Sequence, residues 1–521
     1  MPSFKVNVKW GKEKFSDVEC NMDEPPVVFK AQLFALSGVP PERQKVMIKG
    51  AVIKDDEWGK VKIKDGVTLL MMGTAEALPT EPAEKPVFME DMSEAQLATA
   101  LSLPPGLTNL GNTCYMNATL QCLRSVPELK QALKAYTGQI STSGIDTTDQ
   151  SITAAIRDLY ETMDTTSNSF PPFIMLQVLH MCFPRFSEKG DHGEFQQQDA
   201  NECWTELVRC LQRRLTPLPT EQGPEAAAVR SSFIDQFFGG EFQVTMKCVE
   251  AEDETPSHSS EPFLQLSCFI EKEVKYLHTG LVNRLQEHIT KNSPTLGRDA
   301  QYLKTNKIKR LPAYLTIQMV RFYYKEKDSI NAKILKDVKF PMSLDVYDMC
   351  TEDLQKQLDP MRAKIKTEDD KAVERAQKLK NKEKPQKPGD QQKEEVKRNI
   401  RREPFNLPDD PGSNNSGHYE LQAVLTHKGR SSSSGHYVGW VRKNKDEWLM
   451  FDDDQVNPIT SEDVLKLSGG GDWHCAYVLL YGPRILEIDL DAEKEEEAEK
   501  AASETTSNET KEKETPMETT E

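Results

Sequence analysis

One stretch constrains this chain more than any other: Gly106-Leu107-Thr108-Asn109-Leu110-Gly111-Asn112-Thr113-Cys114-Tyr115-Met116-Asn117. A loop rich in Gly and Asn runs into an amphipathic segment, Ala118 to Leu123, that reads as a helix. Thr113 or Asn112 is placed to cap it, so Cys114 falls in the first turn. Backbone N–H groups and the positive end of the helix dipole favour an anion there. The Asn109 amide is a donor that could face a developing oxyanion. The competing reading is a buried cysteine acting as a small hydrophobe.

With 521 residues the chain has material for more than one domain. A net charge of −17 argues against nucleic acid as a partner. Ten cysteines without paired spacing, and Met1 leading straight into a strand pattern, point to a reducing compartment, cytosol or nucleus, with free thiols. No apolar run is long enough for a membrane span.

In chain order, residues 1–75 form a small unit. Phe4, Val6 and Val8 alternate, and Phe15, Val18 and Cys20 continue as a second strand. Pro25-Pro26 opens a helix with Val28, Phe29, Leu33 and Leu36 inward, and Gly38 ends it. Strands follow at Val46–Ile48, with Lys49-Gly50 turning, and at Val67–Met72. This order, with Gly38-Val39-Pro40-Pro41-Glu42-Arg43-Gln44 at its middle, resembles ubiquitin, a β-grasp fold. Its end, Met72-Gly73-Thr74-Ala75, lacks a terminal Gly-Gly, so the unit is expected to dock the protein rather than be conjugated.

Residues 76–100, with prolines at 79, 82 and 86, read as a linker. A large domain spans 101–483, helical first and strand-rich from Phe233 onward, which is an α+β pattern. Within it, the charged run of about 351–403 reads as a solvated, mobile insertion, helical in parts. Residues 484–521 read as an acidic, disordered tail.

A thiolate nucleophile needs a histidine, and the histidine an acceptor that orients it. Of nine histidines, His180, His278 and His288 fall in apparently helical stretches, His258 in a polar loop, and His427, before a Gly-Arg turn, reads as exposed. His436 opens a strand, His436-Tyr437-Val438-Gly439-Trp440-Val441, after the loop Gly429–Gly435. Lys443-Asn444-Lys445-Asp446 turns the chain, and Trp448–Phe451 returns to Asp452-Asp453-Asp454. Folded as an antiparallel hairpin, residue 436 falls opposite 452 or 453, and the spacing alone does not separate the two aspartates.

The cysteine box, Gly435-His436-Tyr437-Val438 with Phe451-Asp452-Asp453-Asp454-Gln455-Val456, and Gln197-Gln198-Asp199-Ala200-Asn201-Glu202 between them resemble the signature boxes of ubiquitin-specific cysteine proteases, peptidase family C19. With the ubiquitin-like unit in front, the resemblance is to the proteasome-associated members. It implies a papain-like palm and thumb with fingers that cradle ubiquitin, and hydrolysis of the isopeptide bond after ubiquitin's C-terminal glycine. It matches Cys114 to the nucleophile, His436 to the base and acid, Asp452 to the orienting carboxylate and Asn109 to the oxyanion amide. Gln198 and Asp199, and beside them Glu202 and Tyr437, would line the channel for ubiquitin's arginine-bearing tail, although Asp199 and Glu202 also suit a helix cap. Expected partners are ubiquitin, polyubiquitinated proteins and the 26S proteasome regulatory particle, the last through the ubiquitin-like domain. The loops near His436 are expected to cover the tail channel until the proteasome is bound. Many family members bind zinc through two Cys-x-x-Cys pairs. Here Cys248 and Cys268 stand alone, so neither zinc nor any other cofactor is expected. Apolar packing by Phe242, Leu264, Leu266 and Phe269 would then hold the fingers.

Overall fold

A computed structural model describes residues 3–59, 61–74, 103–141, 147–219, 230–325, 330–382, 399–431, 434–492 and 494. The chain divides into two compact units, Met1–Met92 and Ser93–Glu521. The linker expected at 76–100, and residues 493 and 495–521 of the expected tail, lie outside the described residues.

The first unit is a five-stranded sheet in the order β2-β1-β5-β3-β4 carrying one helix. Its elements are β1 (Ser3–Trp10), β2 (Glu13–Asn21), α1 (Pro26–Ser37), β3 (Lys45–Ile48), β4 (Ala51–Val52) and β5 (Thr68–Met72). Strand alternation sends Val6, Val8, Val46, Ile48, Leu69 and Met71 into one core. Pro26 starts α1, and Gly38, at φ 68°, ends it by donating its N–H to Phe34 O. Phe29 and Leu33 face the sheet as expected, but Val28 and Leu36 do not and are exposed. Lys30 and Ser37 take the inward positions instead, with Lys30 Nζ 2.5 Å from Asp55 Oδ1.

The second unit begins with helices: α2 (Cys114–Arg124), α3 (Pro127–Ala135), α4 (Thr147–Thr165), α5 (Phe173–Cys182), α6 (Ala200–Arg214) and the short α7 (Phe233–Phe237). Their apolar faces close a core that includes Leu120, Ile156, Leu207 and Leu211. Next come β6 (Gly240–Cys248), β7 (Ser257–Phe263), β8 (Leu266–Phe269), α8 (Leu277–Asn283), β9 (Gln286–Ser293) and β10 (Arg298–Arg310). Strands β7-β6-β10-β9 form a separate antiparallel sheet, the fingers. At its base Phe242 packs on Phe263, ring centroids 4.4 Å apart. Leu266 is buried in the palm, whereas Phe269 is 39 % exposed, under the Arg284 guanidinium 4.8 Å from its ring.

A ten-stranded palm sheet is built on β11 (Leu315–Val320), β12 (Phe322–Lys325), β13 (Ile330–Lys333), β14 (Ser343–Asp345), β16 (His418–Ser431), β17 (Ser434–Arg442), β18 (Glu447–Asp452), β19 (Gln455–Thr460) and β20 (Cys475–Pro483), together with β8. Its spine runs β19-β18-β17-β16-β20-β11-β8, and β20 is buried along its whole length. Helix α2 lies directly on β17. A Cβ at Gly439 would meet Ala118 O at 3.3 Å and Cys122 Sγ at 3.5 Å, so glycine permits the close approach that sets Cys114 beside the start of the strand.

Three expectations change. The charged run is not simply solvated: helix α9 (Glu352–Lys382) buries Leu354, Leu358 and Ile365, whose spacing of about one and two turns makes a stripe. Residues 383–398 lie outside the described residues. The folded body also continues past 483: β15 (Ile400–Arg402) pairs with β21 (Glu487–Asp489), and Leu486 and Ile488 pack on Ile365. Among the histidines, His288 and His258 sit in strands β9 and β7, and His427 is fully buried.

Candidate active site

The loop before α2 is folded around the side chain of Asn109. Its Oδ1 accepts from the N–H of Gly111 (3.0 Å) and of Thr113 (3.2 Å), a local turn that asparagine makes readily. Gly111 and Asn112 take left-handed backbones at φ 99° and 54°. Thr113 occupies the N-cap position without a side-chain cap bond, because its hydroxyl instead accepts from Leu110 N–H at 2.9 Å. Cys114 is the first residue of α2, as expected, and is only 2 % exposed. Its sulfur accepts from Tyr437 N–H at 3.5 Å, which ties the thumb helix to β17 beside His436.

His436 Nε2 lies 2.6 Å from Asp452 Oδ1, which leaves the other ring nitrogen for the sulfur. The hydrogen bond to Asp452 and, after it, the interaction with Cys114 push His436 up to about 10, so the ring is imidazolium at neutral pH. The same bond lowers Asp452. Burial instead raises Asp453. Asp453 Oδ2 is 4.0 Å from the ring, and its oxygens accept from Asn109 Nδ2 (2.9 Å) and Asn117 Nδ2 (2.8 Å).

The hairpin register is shifted from the expected one. The ladder runs from Gly439↔Phe451 to Arg442↔Trp448, and one further rung puts Val438 opposite Asp452. His436 therefore meets Asp452 diagonally, within a side chain's reach on the same face.

Of the residues expected to line a tail channel, Tyr437 follows His436 directly and donates its N–H to Cys114 Sγ. Gln198 is half-buried. Asp199 caps α6, its Oδ1 accepting from the N–H of Asn201 and Glu202, and its Oδ2 accepts from Tyr477 O–H at 2.7 Å. Glu202 pairs with Arg185 and does not act as a cap. The Tyr437 ring is buried between those of His427 (centroids 4.7 Å apart) and Tyr477 (6.2 Å). Sequence reasoning read His427 as exposed and gave Gln197 no role of its own. Both nitrogens of His427, the hydroxyl of Tyr437 and Nε2 of Gln197 are buried without a hydrogen-bond partner. His427 is held neutral by burial, down to about 3. The signal available was the alternation Leu421, Ala423, Leu425, His427 along β16.

Among the described residues, His436, Asp452 and Asp453 form the group close enough to hold a metal ion, their ligand atoms lying within 4.8 Å. Asp452 is already engaged by the histidine and Asp453 by two amides, as suits an oriented imidazole.

A cysteine at a helix start, an imidazolium beside it and a carboxylate holding the far ring nitrogen define a papain-like thiol hydrolase. The ubiquitin carboxyl-terminal hydrolase family profile matches residues 105–481. The chain is 42 % identical over 492 residues to ubiquitin carboxyl-terminal hydrolase 6 of Arabidopsis thaliana, covering 93 % of this chain and 99 % of that one. It is 40 % identical over 487 residues to hydrolase 14 of Caenorhabditis elegans, with coverage of 92 % and 94 %. It is 39 % identical over 492 residues to hydrolase 6 of Schizosaccharomyces pombe, with coverage of 91 % and 98 %. The chain belongs to the ubiquitin carboxyl-terminal hydrolase family and is a deubiquitinating cysteine hydrolase.

Proposed function

We propose that Cys114 is the nucleophile, His436 its base and acid, Asp452 the orienting carboxylate and Asn109 an oxyanion donor in hydrolysis of the isopeptide bond after ubiquitin's terminal glycine. The observation that carries this is the junction of α2 and β17, where Tyr437 N–H meets the sulfur and His436 bonds Asp452. The Cys114 thiolate adds to the glycine carbonyl, and the Asn109 amide holds the oxyanion. The His436 imidazolium gives its proton to the departing lysine amine. A water, deprotonated by His436, then cleaves the thioester, freeing ubiquitin and the thiol. Asp452 keeps the ring aligned through both steps.

For the tail channel we propose Gln198, Asp199, Glu202 and Tyr437. Asp199 and Glu202 offer carboxylate oxygens to ubiquitin's arginines, and the unpartnered polar groups of Gln197, His427 and Tyr437 suit a peptide backbone. A cover over this channel is supported by the junction of β13 with β16 at Ala332↔Ser431, which joins the segment before the charged insertion to the loop that precedes His436. Ser432 and Ser433 lie outside the described residues.

We further propose that the ubiquitin-like unit docks on the 26S proteasome regulatory particle, in cytosol or nucleus. Its outer sheet face supports this: Met47 pairs with Val52 and Leu70, and Val52, Leu70 and Met72 are exposed. The test is labelling of the full chain by ubiquitin ending in a thiol-reactive group, with and without proteasomes. Labelling at Cys114, faster with proteasomes and lost in Cys114→Ala, is expected. Equal labelling in both states would remove the gating, and ubiquitin binding with no labelling would leave only docking. Met47→Asp should abolish the proteasome effect while sparing activity of the free chain.

A further inference from the structure

Helix α5 carries no charged residue in its 10 positions. It buries Met175, Leu176, Val178 and Leu179 in the core of the helical half. Its other face meets solvent, yet that face is apolar too: Phe173 is 59 %, Ile174 63 % and Met181 48 % exposed. Ile174 and Met181 stand two turns apart, about 10 Å, with only the exposed Gln177 between them on the same stripe. Helix α6, packed in the same core, shows the ordinary pattern, with Glu202, Glu206, Arg209 and Arg213 at the positions its buried face leaves. In a chain of net charge −17, an uncharged outer stripe on a surface helix marks a place of contact.

The start of α5 is tied to the loop that carries the cysteine. Phe170 bridges Leu107, donates its N–H to Gly106 O at 3.4 Å and accepts from Thr108 N–H at 3.0 Å. Ser169 Oγ donates to Asp454 O at 2.5 Å, and Leu107 N–H donates to Asp453 O at 2.8 Å. Loop 106–109, the turn after β18 and the segment before α5 are therefore one surface, and Phe173 follows it after Pro171 and Pro172. The channel proposed for ubiquitin's tail lies on the α6 and β17 side of Cys114. A scissile bond sends its two chains in opposite directions, so the lysine-bearing chain departs past Asn109 and the β18 turn, toward α5.

The size of the stripe selects its occupant. Three apolar side chains along about 10 Å offer far less than the ~800 Å² per partner of a stable interface between folded proteins, which argues against a second copy of this chain. A conjugate already held by its ubiquitin meets α5 at high effective concentration, so a small surface suffices for it. Three or four residues of extended chain span the stripe.

We propose that the outer face of α5 binds the acceptor polypeptide: an apolar, extended stretch next to the ubiquitinated lysine. The enzyme thereby favours conjugates on chains that expose apolar segments. The inference rests on the path proposed above for ubiquitin's tail.

The test uses the full chain, with proteasomes supplied equally to every arm, and four reporters. These are a fluorogenic ubiquitin amide, which has no acceptor polypeptide; ubiquitin linked to the lysine of a peptide flanked by Leu, Phe and Val; the same conjugate flanked by Ser and Gly; and diubiquitin. The native chain should show a lower KM for the apolar conjugate than for the polar one. Phe173→Ser combined with Ile174→Ser should raise KM for the apolar conjugate about tenfold at unchanged kcat, the scale of part-burying two apolar side chains. Met181→Ser, farther from the cysteine loop, should act in the same direction. The other three reporters should not respond. Equal KM for the two peptide conjugates would overturn the proposal, as would variants that slow all four reporters, which would mean a disturbed cysteine loop. A response confined to diubiquitin would assign the stripe to a folded ubiquitin and overturn it too. A native chain idle on the amide removes the proposed function and this inference together, whereas one active on the amide but indifferent to the flanking residues overturns the inference alone.

Discussion

His436 Nε2 lies 2.6 Å from Asp452 Oδ1 and 4.0 Å from Asp453 Oδ2. That difference assigns the histidine to the first aspartate of the pair. It follows from the diagonal register and from the left-handed backbone at Asp453, which turns the second carboxylate toward α2.

Removing the Asp452 charge should shift the alkaline limit of activity. Its hydrogen bond is the largest cause holding His436 up to about 10. In Asp452→Asn the ring should titrate nearer ~6.5, and the imidazolium needed for leaving-group protonation is lost as pH rises through that value. A kcat/KM profile from pH 6 to 10 should show the descending limb moving down, with kcat reduced by up to about 10⁴-fold at neutral pH. An unmoved limb would remove Asp452 from the role.

The same pair makes a stability prediction of defined sign. A histidine raised in the folded state contributes stability that is complete below the unfolded pKa of about 6.5 and is lost as pH rises through about 10. The stability gap between the native chain and Asp452→Asn, read by urea unfolding, should therefore be wider at pH 6 than at pH 10. Asp452 is lowered on folding, so its own contribution is present above the ordinary carboxylate range and is lost only as pH falls through its depressed pKa.

Gly106→Ala should damage both stability and turnover. The added Cβ would lie 2.6 Å from Asp454 O, a backbone atom that cannot swing aside. An overpacking cost of about 1–3 kcal/mol is expected in thermal or urea unfolding, with a loss of kcat because the Asn109 loop must move. A variant matching the native chain in both would mean that the loop is not seated on the hairpin turn.

Far from the sulfur, Arg310 is buried with Asp410 as its ion partner, at 2.6 Å and 2.9 Å, and its remaining N–H groups donate to the carbonyls of Asp235, Gln236 and Gly239. Asp410→Ala strands that charge and should cost about 3–5 kcal/mol, while the folded fraction keeps its kcat. A loss below 1 kcal/mol would show that water reaches the site.

Helix α9 can be tested in the same way. Leu358→Ala deletes a fully buried side chain and should cost about 2–5 kcal/mol, whereas an exposed position such as Val373 should tolerate Ala with little change. Equal, negligible effects would restore the solvated reading of the charged run.

Local chemistry was legible wherever it needed only near neighbours. Asn109, Gly111 and Cys114 declare a loop-to-helix junction because an asparagine turn, a left-handed glycine and an apolar run are short-range properties. The Val6–Val8 and Val46–Ile48 alternations likewise declare strands buried on one face. Two other features depended on partners remote in sequence. Charge density in 352–382 hid a stripe of Leu354, Leu358 and Ile365: the first two join the core of Ile308, Leu311 and Tyr419, and Ile365 needs Leu486 and Ile488 from the far end of the fold. His427 looked exposed beside a Gly-Arg turn, yet Phe322 and Tyr437 enclose it.

From the sequence alone came the identity of the chemical groups, a thiol, an imidazole and carboxylates, each in a local setting suited to its task. Tertiary structure alone decided which carboxylate serves which partner. Strand register and one left-handed residue set side-chain distances to within an ångström, and neither is carried by residue type or spacing.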